Sequence, residues 1–275
     1  MSSPMRTDAT AQIAIPGIIG GVGPLAHIAL ERRLLAASAR RGATGDRGHP
    51  VWILINATDI PDRTASLTDG SDRCARSLVH YGRVLAAAGA GFLVVPCNTA
   101  HAFHARVQAE LAIPWLHLID HTAAAIARRH PGIARVGVLA TDGTLRAALY
   151  PRSLIDLGIA TLAPSPGSAL QREVMDAIYA AGWGIKASGV EITARARATV
   201  LRAVRWLEQR GAELVVAGCT ELSAALEALA SDTELPLPWL DPLEVIADVA
   251  LDRAYGRAYG ASPEARSLES RKASR

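Results

Sequence analysis

The chain has 275 residues, 50% of them hydrophobic and 20% charged, with a formal net charge of +3. That composition excludes a disordered or low-complexity chain and is enough to bury a full core in one large domain or in two of about 120 residues. Basic residues are scattered and aromatics make up only 4%, which excludes a basic stripe with stacking platforms for nucleic acid; small anionic partners suit the surplus better.

The polar opening 1–12 lacks an apolar stretch before a cleavage site, and no apolar run reaches about 18 residues. Neither a signal peptide nor a membrane span is predicted, and the expected location is the cytoplasm. Cys74, Cys97 and Cys219 are odd in number and lack CxxC spacing, which argues against a disulfide framework and against a thiolate zinc site.

In chain order, the apolar run 13–19 empties into Gly20-Gly21-Val22-Gly23-Pro24, and helical periodicity follows over 26–40. This reads as strand, glycine loop and helix. The loop either admits a ligand to the backbone at a helix start or is a tight turn. It is not the dinucleotide fingerprint, because no acidic residue ends a second strand at the required distance. A strand over 51–55 runs into the polar loop Asn56-Ala57-Thr58-Asp59-Ile60-Pro61-Asp62-Arg63-Thr64. Arg63 there either grips a carboxylate with its guanidinium or pairs with Asp59 or Asp62.

An amphipathic helix over 71–88 holds Cys74 as a packed core thiol. The strand within 89–96 delivers Cys97, an alanine-rich helical pattern follows it, and 114–118 and 120–130 read as a strand and a helix. The pattern then starts again. A strand over 135–140 leads to Thr141-Asp142-Gly143-Thr144 and a helix over 145–157. A strand at 159–162 and helices over 168–180 and 190–209 follow, the two helices separated by a segment at 182–189 that carries Lys186. A strand at 212–217 delivers Cys219, and a strand at 237–240 and a helix at 242–255 close the chain.

Gly143 follows Gly23 at nearly the spacing at which Cys219 follows Cys97, with the same order of strand, loop and helix. The chain is therefore predicted to be α/β, with two similar three-layer α/β/α domains, Rossmann-like or flavodoxin-like, related by a pseudo-two-fold axis. Strand ends would face each other across a cleft, and α/β sheets bind ligands at such ends. The predicted division is 13–120 with 241–258 as the first domain, 121–240 as the second, and flexible termini at 1–12 and 259–275.

Each of Cys97 and Cys219 is predicted at the carboxyl end of a strand and the entrance of a helix, where amide groups and the helix dipole stabilise a thiolate, so both are expected to be acidic. Two thiols facing one ligand suit racemisation. One takes the α-hydrogen from one face and the other returns a proton on the opposite face. The carbanion must be spread onto the substrate carboxylate and held by donors; Asn98 and Thr99 beside Cys97, Thr220 beside Cys219, and Thr141 are the candidates. Two buried core cysteines and simple helix caps are the plainer alternatives. Pyridoxal phosphate would need a Schiff-base lysine, and the chain has only Lys186 and Lys272, the latter near its end. Zinc is disfavoured because His101 with His104, or His117 with His121, lacks a third ligand.

Ile19 to Ala26, Ile60-Pro61-Asp62-Arg63-Thr64, Pro96-Cys97-Asn98-Thr99-Ala100-His101, Leu139 to Thr144 and Gly218-Cys219-Thr220-Glu221-Leu222 together resemble the aspartate/glutamate racemase family, nearest its aspartate racemase branch. The resemblance implies cofactor-independent racemisation by Cys97 and Cys219 in an interdomain cleft, and a last helix that returns to the first domain. It also implies that Arg63 and Lys186 hold the substrate's side-chain carboxylate. Gly23, Asn56, Asn98, Thr99, Thr141, Thr220 and Glu221 complete the expected substrate site. The resemblance further implies a homodimer with an amino-acid substrate; no metal, nucleic-acid or membrane partner is expected, on the grounds of spacing, charge and hydropathy given above. Val22 stands where aspartate racemases commonly have methionine, and His27 where they commonly have threonine. Two other functions fit the same cleft: isomerisation or racemisation of another small acid of the hydantoin or maleate type, and non-catalytic binding of a dicarboxylic amino acid.

Overall fold

The computed structural model describes residues 12–188, 191–232 and 235–256. The termini expected to be flexible lie outside the described residues, except Gln12. Its side chain accepts from Val51 N at 2.9 Å and donates to Val51 O at 2.8 Å.

Among the described residues, seven strands form two parallel sheets. β1 (Pro16–Gly20), β2 (Ile53–Asn56) and β3 (Phe92–Val94) make the first, in the order β2-β1-β3. β4 (Arg135–Ala140), β5 (Ala160–Leu162), β6 (Leu214–Gly218) and β7 (Trp239–Leu240) make the second, in the order β5-β4-β6-β7. The shared winding is that of a doubly wound α/β repeat. Helices α1 (Pro24–Arg40), α2 (Arg63–Thr68), α3 (Arg73–Ala87), α4 (His104–Gln108) and α5 (Leu118–Arg129) belong to the first pass of the chain. Helices α6 (Asp142–Arg146), α7 (Leu149–Ile155), α8 (Ala169–Tyr179), α9 (Ile185–Ser188), α10 (Ala194–Glu208), α11 (Thr220–Asp232) and α12 (Pro242–Ala254) follow.

Successive side chains of a strand point to opposite faces, so apolar strands without alternation bury both. Ile18, Val94, Val138 and Val216 enter one continuous core that joins the two sheets, together with residues of α1, α5 and α12. Their neighbours Ile19 and Val95 face a second core under α3, while Leu139 and Val215 face a third under α10. α12 packs on both α1 and α5. Arg41, just past α1, reinforces that contact by donating to Asp248 Oδ1 at 2.6 Å and Asp252 Oδ1 at 3.0 Å.

Three expected elements come out differently. The strand expected at 114–118 is a single bridge, Leu93 to Trp115, because Pro114 has no N–H to give and His117 already caps α5. The helix expected at 145–157 breaks at Ala148, whose φ of 49° turns the chain so that Leu149 and Tyr150 reach the core. The alanine-rich stretch after Cys97 forms a 3-10 turn, Thr99–Phe103, before the short α4.

Candidate active site

The carboxyl ends of β1, β3, β4 and β6 converge. A narrow cleft, nearly closed in this structure, is lined there by Val22, Arg63, Cys97, Asn98, Thr99, Thr141, Tyr179, Lys186, Cys219, Thr220 and Glu221. Both thiols are buried in its wall, Cys97 8% and Cys219 7% exposed. Cys97 follows β3 by a short extension, and Cys219 sits between β6 and the first residue of α11.

Cys219 departs from its expected acidity. Burial, and next the Glu221 carboxylate, push its thiol well above the ordinary range, with Lys186 only partly opposing them. Sγ donates to Glu221 Oε2 at 3.0 Å, so this cysteine stands as a protonated thiol. Thr220 Oγ1 donates to the same oxygen at 3.2 Å, and Lys186 Nζ donates to Oε1. Burial alone would raise the Glu221 carboxyl; the ammonium and the bonds from Cys219 and Lys186 outweigh it and hold the group ionised. Gly23 is the floor beneath this pair: its φ is 99°, and a Cβ built there would lie 2.8 Å from Glu221 Oε1.

Arg63, 9% exposed at the start of α2, pairs with neither acidic neighbour considered for it. Asp62 caps the helix by accepting from Ala65 N at 2.8 Å, and Asp59 accepts from Tyr81 Oη at 2.6 Å. The guanidinium donates only weakly to backbone, from Nη1 to Pro61 O at 3.2 Å and Ile60 O at 3.4 Å, and Nε is buried without a partner. It is a desolvated cation on the cleft wall that lacks an anion among the described residues.

Opposite, Asn98 Oδ1 accepts from the buried Tyr150 Oη at 2.6 Å, which fixes the amide and leaves Nδ2 as a buried donor without a partner. Thr99 Oγ1 lies 2.9 Å from both Thr141 Oγ1 and Thr144 Oγ1. Two sequence-nominated residues do not line the cleft: Asn56 is exposed at the end of β2, and Gly23 lies beneath the Glu221–Lys186 pair. Tyr179 lines the cleft without having been nominated; its signal was an aromatic side chain ending α8 just ahead of the segment that carries Lys186. Val22 was noted only as a departure from the aspartate racemase pattern. His27, the other departure, has its Nδ1 accepting from Gly21 N at 3.2 Å and so braces the glycine loop from behind.

The histidines cluster with Trp115 on the far side of Cys97. The His104 and His117 ring centroids are 4.5 Å apart, those of His101 and His117 5.1 Å. Among the described residues no group of three His, Cys, Asp or Glu side chains could hold a metal ion. Cys74 is a core thiol, pushed up to about 12 by burial first. No helix among the described residues is long and apolar enough to cross a membrane.

A family model described as Asp/Glu/Hydantoin racemase matches residues 19–250. The chain belongs to that family. The protein is thus a racemase, an enzyme of the isomerase class. The racemase is 24% identical over 222 residues to the broad specificity amino-acid racemase RacX of Bacillus subtilis (strain 168), covering 80% of this chain and 90% of that one. It is 32% identical over 189 residues to the glutamate racemase of Deinococcus radiodurans, covering 66% of this chain and 59% of that one. Its fold superimposes on the Picrophilus torridus aspartate racemase with a TM-score of 0.73 and 25% identity, covering 92% of this chain and 98% of that one.

Proposed function

We propose that this racemase inverts the α-carbon of a small dicarboxylic amino acid, aspartate before others, without pyridoxal phosphate, by passing protons between substrate and Cys97 on one face and Cys219 on the other. The observation that carries the reading is that both thiols line one cleft with Arg63, a buried cation free to take a distal carboxylate.

In one direction, Cys97 acts as the base and takes the α-hydrogen. The electron pair left on Cα spreads onto the substrate carboxylate as an enediolate. Asn98 Nδ2, buried without a partner, is the free donor on the cleft, while the Thr99, Thr141 and Thr220 hydroxyls that also line it would have to exchange their present partners for the substrate. The Cys219 thiol then gives its proton to the opposite face and becomes the thiolate. Exchange with solvent restores the starting forms, and the reverse direction swaps the two roles.

The test is solvent exchange. Purified protein without pyridoxal phosphate should exchange the aspartate α-hydrogen in deuterated water and racemise it, and Cys97→Ala and Cys219→Ala should each abolish racemisation. Full racemisation by either variant rejects the two-thiol scheme. Turnover of neutral amino acids at comparable rates would instead favour the broad range named for the Bacillus subtilis relative. Binding of aspartate without exchange would mean a non-catalytic binding protein.

A further inference from the structure

Gly143 is the second residue of α6 and is buried there. Glycine is a poor helix former, and no left-handed backbone calls for it at this position. What requires it is space. A Cβ built there would lie 2.7 Å from Thr64 Oγ1, 2.8 Å from Thr99 Cγ2 and 3.1 Å from Thr64 Cα. α6 follows β4 of the second sheet, and Thr64 is the second residue of α2, which follows β2 of the first. The missing side chain therefore leaves a notch on one side of the cleft into which a helix from the other side packs. Arg63, one residue before Thr64, lines the nearly closed cleft.

The two sides of the notch are not equally firm. Thr141 caps α6 by accepting from Thr144 N at 3.2 Å, Gln171 Nε2 donates to Asp142 Oδ1 at 2.9 Å, and Thr99 Oγ1 is held at 2.9 Å by both Thr141 and Thr144. α2 has six residues, too few to hold a helix without packing. Thr64 Oγ1 is buried without a hydrogen-bond partner, and Tyr179 Oη reaches Asp62, the cap of α2, only at 3.4 Å. Thr64 is seated by fit and not by a side-chain bond.

We propose that Gly143 is a positioning residue for substrate recognition: its notch seats α2 across the cleft, and that seating holds the Arg63 guanidinium on the cleft wall. The inference rests on the reading that Arg63 takes the distal carboxylate. A side chain at position 143 displaces α2, the looser side, and carries Arg63 with it, so the loss falls on acidic substrates.

Amide hydrogen exchange reads the seating with no substrate present. Ser66 N donates to Asp62 O and Asp69 N to Ala65 O, each at 2.9 Å, so these two amides report on α2. Their exchange should quicken about tenfold or more in Gly143→Ala. It should return to within about threefold of the wild-type rate in Gly143→Ala/Thr64→Ala/Thr99→Ser, which removes the two atoms nearest the new methyl and keeps the Thr99 hydroxyl. Thr64→Leu overfills the notch from the half-buried α2 side and should quicken exchange likewise, which decides the matter if Gly143→Ala does not fold. Unchanged exchange, or no recovery in the compensated variant, overturns the proposal. In a Cys97→Ala background, calorimetry should show aspartate binding weakened about tenfold or more by Gly143→Ala, but no more than about threefold once Arg63→Ala is present. A loss kept in full without Arg63 overturns the positioning role. If Arg63→Ala by itself leaves aspartate affinity unchanged, the distal-carboxylate reading falls and the recognition half of the proposal with it, while the seating read by exchange stands.

Discussion

Thr99 Oγ1 and Thr141 Oγ1 lie 2.9 Å apart, so the loop after β3 and the loop after β4 are tied to each other at the cleft. Thr144 Oγ1 joins both, at 2.9 Å from Thr99 and 3.2 Å from Thr141. One buried hydroxyl cluster thereby fixes the distance between the two strand ends that frame the site.

Thr99→Val keeps the shape and removes the hydroxyl. It should lower unfolding free energy by about 1 kcal/mol in urea titration, since Thr141 and Thr144 still satisfy each other. The loss in racemase kcat/KM should be larger in proportion, up to roughly 100-fold, because loop placement is what the bond supplies. A variant with wild-type turnover would show that the cluster only stabilises.

Arg63→Ala should reduce kcat/KM for aspartate on the order of 100-fold, the loss of two charge-assisted hydrogen bonds. Any neutral amino acid that is turned over should change far less. Arg63→Lys should recover only part, because an ammonium cannot present a planar fork. Parallel steady-state assays on an acidic and a neutral substrate check both statements.

Tyr150→Phe removes the donor that fixes Asn98 and leaves a buried carbonyl oxygen without its 2.6 Å partner. The expected destabilisation is about 1–3 kcal/mol, seen as a lower midpoint in denaturant at unchanged slope. Activity should fall as well, since the amide is then free to rotate away from the cleft.

His101 is held neutral, its imidazole lowered to about 3 by burial first and next by His117. His104 and His121 are lowered too, again by burial first. Between pH 6.5 and 3 the unfolded chain therefore binds more protons than the folded one at His101, and stability falls as pH falls through that window. From pH 7 to 5 the His101 share alone should be about 2 kcal/mol, in a window where most carboxylates are still ionised. Urea midpoints measured across that range should drop, and His101→Gln should flatten the slope.

The strand, loop and helix order was legible along the chain because both sheets are parallel and buried on both faces. That demands short continuous apolar runs rich in β-branched residues, such as Leu214-Val215-Val216, bounded by turn residues. The exceptions are local. Pro114 and His117 shorten an expected strand to a bridge, and Ala148 breaks an expected helix, because tertiary burial of Tyr150 outweighs the strain of a positive φ at alanine.

The repeated cysteine motifs by themselves determined that two thiols belong to strand ends of matching halves, and that an arginine stands in a polar loop after the second strand. Only the tertiary structure decided what surrounds them. The thiol of Cys219 was expected to be acidic from its helix start, yet a carboxylate two residues on, fixed by a lysine from a distant helix, holds it protonated. Asn56 and Arg63 stand at the two ends of one loop, but one side chain is exposed and the other is sealed in the cleft. Periodicity records which face of an element is buried; charge pairing and burial at a site depend on chain segments brought together from far apart, and no local pattern encodes them.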